Sequence, residues 1–72
     1  MNKEEFIIKL GQKIKKEREK QGFSQQKMAE KSDMSMHYLG CIERAEQNIT
    51  VAKLFDISNA LGIDISELLK LE

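Results

Sequence analysis

Proline is absent from this chain of 72 residues, glycine occurs four times, and a single cysteine and a single histidine are present. With no proline to break them, long stretches can stay helical. One cysteine excludes an internal disulfide, and one Cys with one His cannot fill a structural zinc site, so no metal or cofactor is implied. No segment approaches the roughly 20 apolar residues that span a bilayer, so no membrane role is expected. The opening MNKEEFIIKL lacks the basic region and cleavage site of a secretion signal, which points to a soluble, cytoplasmic protein. Net charge is also lacking, at zero. The charge is nonetheless unevenly spread: Met1 to Lys31 holds nine basic against five acidic residues, and Ser32 to Glu72 three against seven.

What is present is an apolar content of 40% at a length that supports one compact domain, residues 1–72. A chain this small buries only about 60% of its unfolded surface. Phe6, Leu10 and Ile14, flanked by Ile7 and Gly11, recur at three- and four-residue spacing, which predicts an amphipathic helix from about Lys3 to Lys20 with Arg18 continuing its inner face. Gly22 stops it, and Ser24 is the natural N-cap of the next helix.

The block QQKMAEKSDMSMHYLGCIER, residues 25–44, carries the most information. Met28 and Ala29 face inward, and the small Ala29 lets a second helix approach closely. The first helix ends at Ser32 and Asp33, and Asp tolerates a left-handed backbone. Ser35 then caps a second helix starting at Met36, whose Leu39 and Ile42, joined by Met34, form a buried stripe. Met36, His37, Gly40, Cys41 and Arg44 recur at intervals of three and four, so they are expected to share a solvent face. Two short helices crossing at a sharp angle place that face where it can enter a DNA groove.

Beyond Arg44, residues 45–49 read as a loop. Thr50 caps a helix over 50–61 with an expected inward stripe of Val51, Leu54, Phe55, Ser58 and Leu61, ended by Gly62. Asp64 followed by Glu67 resembles a capping box that opens a last helix over 64–71. Five helices and no strand result, an all-α fold.

The runs LGQKIKKEREKQGFSQQKMAEK, IER and NALGIDISELL resemble the phage repressor and Cro type of helix-turn-helix domain, the XRE-like family, across nearly the whole chain. Within it, KSDMSMHYLGCIER followed by QNIT is similar to the controller proteins of restriction-modification systems. The resemblance implies a compact lambda-repressor-like domain that binds double-stranded operator DNA as a homodimer and regulates transcription. It places Gln25 on a phosphate at the start of the second helix and Arg44 near the DNA backbone, and it joins Arg18 to Glu43 as a structural ion pair between the first helix and the reading helix. Where the family usually has Gly, Asp33 stands, and where it has Gly and a basic residue, Ala45 and Glu46 stand.

The candidates have plainer alternatives: Gln25 as a solvent-facing polar residue, Met36 as an exposed methionine without a role, and Arg44 packed along its aliphatic stem. Ser35 and Met36 open the reading helix, and Met36 is suited to a thymine methyl. His37 donates to a guanine edge or a phosphate, or is a surface histidine with no role. Tyr38 packs against the first helix of the motif, reaches a phosphate, or does both. Gly40 permits close approach to the DNA backbone. Cys41, one turn after His37, is a small groove-facing residue or a thiol sensor, and no third group supports catalysis. The alternating charges of Lys13, Lys15, Lys16, Glu17, Glu19 and Lys20 fit a solvated helix face. Ile63, Ile65, Leu68, Leu69 and Leu71 exceed what a short helix buries in its own core, so a dimer seam is expected there. The reading helix offers no Gln, Asn or Arg for bidentate base contacts. That shortage and the neutral charge motivate the rival reading, a protein-interaction module such as an antitoxin-like domain with a protein partner. No enzymatic activity is expected.

Overall fold

A computed structural model describes residues 1–71 and contains five helices, α1 Lys3–Lys20, α2 Gln25–Lys31, α3 Met36–Glu43, α4 Val51–Leu61 and α5 Ile65–Leu68. No strand occurs among the described residues, and no helix among them is long and apolar enough to cross a membrane. Four helices begin with a side-chain cap, each accepting from the amide three residues on. Asn2 caps α1 at 2.8 Å, Ser24 caps α2 at 3.0 Å, Ser35 caps α3 at 3.0 Å and Thr50 caps α4 at 3.1 Å. Each such cap is worth about 1 kcal/mol because it satisfies a backbone donor that the helix itself leaves free. Gly22 and Gly62 lie at φ 75° and 68°, the left-handed conformation that turns the chain out of α1 and α4.

The core is one cluster of Leu10, Ile14, Met28, Ala29, Leu39, Ile42, Leu54, Ile57, Leu61 and Leu68. α1 lies against α3, α4 and α5, while α2 packs on α3 and α4. Gln21 closes the far end, its side-chain amide donating to the Leu61 carbonyl at 2.6 Å.

Three expectations from the sequence are corrected. The buried face of α4 is Leu54, Ile57, Ser58 and Leu61, while Val51 is 79% and Phe55 53% exposed. Both stripes satisfy helical spacing, but only the one centred on the fully buried Ile57 faces α1 and α2, and Ser58 is tolerated there because its hydroxyl donates to the Phe55 carbonyl at 2.7 Å. At α5, Asp64 makes no side-chain cap bond, and the helix covers Ile65–Leu68 rather than 64–71. Its end tightens: the Leu69 amide is shared between the Ile65 and Ser66 carbonyls and Lys70 donates to Glu67, so the chain leaves the helix within one turn. Leu68 is fully buried and Ile63, Ile65 and Leu71 are half-buried against the same core. Leu68 therefore serves the chain's own core and drops out of the expected dimer seam, while Leu69, 42% exposed, and the half-buried Ile63, Ile65 and Leu71 keep accessible area.

Candidate nucleic-acid interface

The junction of α2 and α3 forms as a tight corner. Ser32 ends α2, Asp33 takes φ 53°, and the Met34 amide returns to the Ala29 carbonyl at 3.0 Å. Buried Met28 and Ala29 on α2 meet Leu39 and Ile42 on α3, which fixes how the second helix leaves the corner. Lys53 of α4 locks it from outside by donating to the Asp33 carbonyl at 2.7 Å.

A second joint holds α3 against α1. A Cβ at Gly11 would stand 2.5 Å from the Ile42 carbonyl oxygen and 2.9 Å from that of Glu43, so the two helices meet backbone to backbone. Seven residues on, Arg18 closes the same seam: its Nε donates to Glu43 Oε2 at 2.7 Å, its Nη2 to Glu43 Oε1 at 3.0 Å and its Nη1 to the Phe23 carbonyl at 2.8 Å. Hydrogen bonding to Glu43 raises the Arg18 pKa above its ordinary value, against the opposing pull of burial. Gln25 joins this network, its side-chain amide donating to Glu43 Oε1 at 3.0 Å. Nothing in the apolar periodicity singled out Gly11 beyond a position on the inner face, since its role depends on a backbone remote in sequence.

Opposite these joints, α3 opens to solvent at its N-terminal half. Met36 is 53% exposed, and Ser35 and His37 are exposed beside it. The expected solvent face is otherwise covered. Gly40 and Cys41 are buried, which corrects their placement as open groove-facing residues, and the cause lies beyond the helix. Arg44 folds back along α3 so that its Nη1 stands 3.0 Å from where a Gly40 Cβ would be, and its Nη2 lies 3.7 Å from Cys41 Sγ and 3.1 Å from Glu46 Oε1. Cys41 Sγ in turn lies 3.6 Å from His37 Nε2. The hydrogen bond to Arg44 holds the Glu46 carboxyl below its ordinary range, and the same bond raises the Arg44 pKa.

Tyr38 is half-buried against the core, with its hydroxyl donating to the Asn48 carbonyl at 3.3 Å in the loop after α3. The loop itself starts under strain: Ala45 lies at φ 61° in a left-handed conformation, while its amide and that of Glu46 return to the Ile42 and Cys41 carbonyls at 3.1 and 2.8 Å.

Comparison with known proteins agrees with this geometry. The profile of the family described as helix-turn-helix matches residues 14–68. The chain is 40% identical over 62 residues to the control protein C.MunI from a Mycoplasma species, covering 85% of this chain and 84% of that protein. The crystal structure of the restriction-modification controller protein C.AhdI from Aeromonas hydrophila superposes with a TM-score of 0.85 at 31% identity, covering 86% of this chain and 94% of that one. SinR, the master regulator for biofilm formation, in complex with DNA, superposes with a TM-score of 0.80 at 35% identity, covering 85% of this chain and 98% of that one; SinR comes from Bacillus subtilis.

Proposed function

The chain belongs to the helix-turn-helix family, and from that membership we propose that it acts as a homodimer on a short inverted-repeat operator, as a controller of a restriction-modification system. It is a DNA-binding transcription regulator and not an enzyme. The observation that carries the reading is the asymmetry of α3, gripped by α1 through Gly11 and Arg18 at its C-terminal end and uncovered at Met36 and His37 at its N-terminal end.

In this reading Ser35, Met36, His37 and Arg44 form the surface that enters the major groove, with Gly40 and Cys41 lying beneath Arg44. Met36 supplies an apolar contact for a thymine methyl and His37 a donor for a base edge or phosphate. The Tyr38 hydroxyl and the Gln25 amide sit at the flanks, where exchange of their present partners for phosphate oxygens anchors the domain. Arg18 and Glu43 act behind the surface, setting the angle at which α3 is offered. Leu69, with the half-buried Ile63, Ile65 and Leu71, supplies the self-association face.

Selection of bound sites from a random DNA pool, with the solution mass at micromolar concentration, tests this. The expected product is an inverted repeat with half-site centres about 34 Å apart, bound by a dimer. An asymmetric site bound by a monomer removes the dimer, and enrichment of no sequence favours a protein-interaction module over DNA recognition.

A further inference from the structure

The helix that enters the groove, Met36–Glu43, contains no Arg, Asn or Gln, the side chains that grip a base edge with two hydrogen bonds. The fold supplies one from outside it. We propose that Arg44 reads a guanine edge from a seat built by Gly40, with Glu46 as its positioning residue; this rests on the DNA-binding reading above and deepens it.

Arg44 is the C-cap of α3, where a long side chain is free to trail into solvent. Instead it runs back one helical turn, bringing the guanidinium level with Gly40 and Cys41 on the turn that follows His37. A side chain at position 40 would crowd that place, since a Cβ would stand 3.0 Å from Nη1 and the guanidinium would have to shift by some tenths of an ångström or more. Glycine inside a helix is unfavourable, and the seat accounts for its presence here. Nη2 is held by Glu46 Oε1 and Cys41 Sγ, while Nε and Nη1 hydrogen-bond to no other described residue, and the side chain remains 54% exposed. A guanidinium carries five N–H donors in a rigid plane, so the unused ones stay available to the O6 and N7 acceptors of guanine.

Base reading rather than phosphate binding follows from Glu46. A carboxylate 3.1 Å from the guanidinium cancels its net charge, which weakens attraction to any phosphate. The directional donors survive that cancellation, and a side chain already drawn back along the helix has less far to move on docking. A neutral, oriented pair adds discrimination more than affinity.

The test compares wild type with Arg44→Ala, Gly40→Ala and Glu46→Gln by site selection, by affinity for the selected operator and for operators with each guanine replaced, by salt dependence and by thermal melting. Wild type is expected to select a guanine in each half-site, and Arg44→Ala to lose about tenfold or more of the discrimination at that position with the rest of the site retained. Gly40→Ala is expected to melt higher, because alanine favours the helix, and yet to lose the same discrimination; on top of Arg44→Ala it costs nothing further. Glu46→Gln should narrow the guanine preference while strengthening binding to random DNA. A merely structural role for Gly40 moves stability and binding together, so opposite signs separate the two. The proposal is overturned if Arg44→Ala weakens all sequences alike and lowers the salt slope by about one, the signature of a phosphate contact, or if Gly40→Ala leaves discrimination intact. If wild type selects no sequence, the DNA-binding reading itself fails, and this inference with it.

Discussion

Toward α1, the helix α3 is held by backbone contact at Gly11 and by two hydrogen bonds from Arg18 to Glu43, a network that Gln25 and the Phe23 carbonyl extend. Toward solvent, the same helix is lined by sulfur contacts of 3.6 and 3.7 Å and one exposed ion pair, Arg44 to Glu46. One side is a joint, where displacement costs a desolvated charge or a backbone clash. The other is a surface, where side chains change partner at small cost. A recognition helix needs both, because readout by side chains is only as accurate as the angle at which the scaffold presents them.

The joint breaks first at Arg18. Arg18→Ala leaves the Glu43 carboxylate buried without its partner and is expected to lower stability by about 3 to 5 kcal/mol, read as a large drop in melting temperature and in the denaturant midpoint. A melting temperature equal to wild type would show that the pair is not what holds α1 to α3. Gly11→Ala comes next. Its Cβ meets two carbonyl oxygens that belong to backbone and cannot rotate away, so overpacking of up to about 3 kcal/mol outweighs the gain of about 1 kcal/mol in helix propensity, a net loss of about 2 kcal/mol. An alanine variant at least as stable as wild type would mean that the helices separate freely there. Both variants are expected to weaken DNA binding only to the extent that they unfold or tilt α3.

Legibility in the sequence follows the same division between local and remote contacts. Ser24, Ser35, Thr50 and Gly62 were legible because capping depends on residues three or four positions away. The left-handed turn at Asp33 and the stripe of Leu39 and Ile42 were legible for the same reason. Gly11 was not, since its neighbours are carbonyl oxygens of α3. α4 was misread because Val51 and Phe55 fit helical spacing as well as Ile57 does, and spacing alone does not say which face meets the core. Leu68 was given to a dimer because the room left for it beneath α1 and α4 is set by their packing, not by its own helix. Gly40 and Cys41 were placed in solvent because a helical wheel ends with the helix, whereas Arg44 and Glu46 return from beyond its end to cover them.

Between joint and surface stands the loop that follows α3, where Ala45 holds φ 61°. A left-handed conformation costs an L-residue with a Cβ roughly 1 to 2 kcal/mol, and glycine is spared it. Ala45→Gly is therefore expected to raise stability by about 1 kcal/mol, less the entropy that glycine loses from the unfolded chain, seen as a rise of several degrees in melting temperature. A fall in stability would show that the Ala45 methyl packs to more effect than its strain. DNA binding should stay near wild type, because the residue displays no donor toward the groove.

The smallest expected change in stability belongs to the surface itself. Met36 is 53% exposed and His37 is exposed at the start of α3, and neither fills the core that Leu39 and Ile42 occupy. Met36→Ala and His37→Ala should each leave stability within about 0.5 kcal/mol of wild type, the usual range for surface substitutions away from caps and buried networks. His37 also lies 3.6 Å from Cys41 Sγ, a weak sulfur contact that does not alter that expectation. Their effect on operator binding should be much larger than their effect on melting, with Met36→Ala weakening preference at a thymine and His37→Ala at a base or phosphate beside it. Paired measurements on the same protein then give a direct contrast: Arg18→Ala moves melting strongly, and Met36→Ala moves binding with melting unchanged. If Met36→Ala and His37→Ala leave operator affinity unchanged as well, the N-terminal half of α3 is not the reading surface, and the base contacts have to come from the turn that carries Arg44.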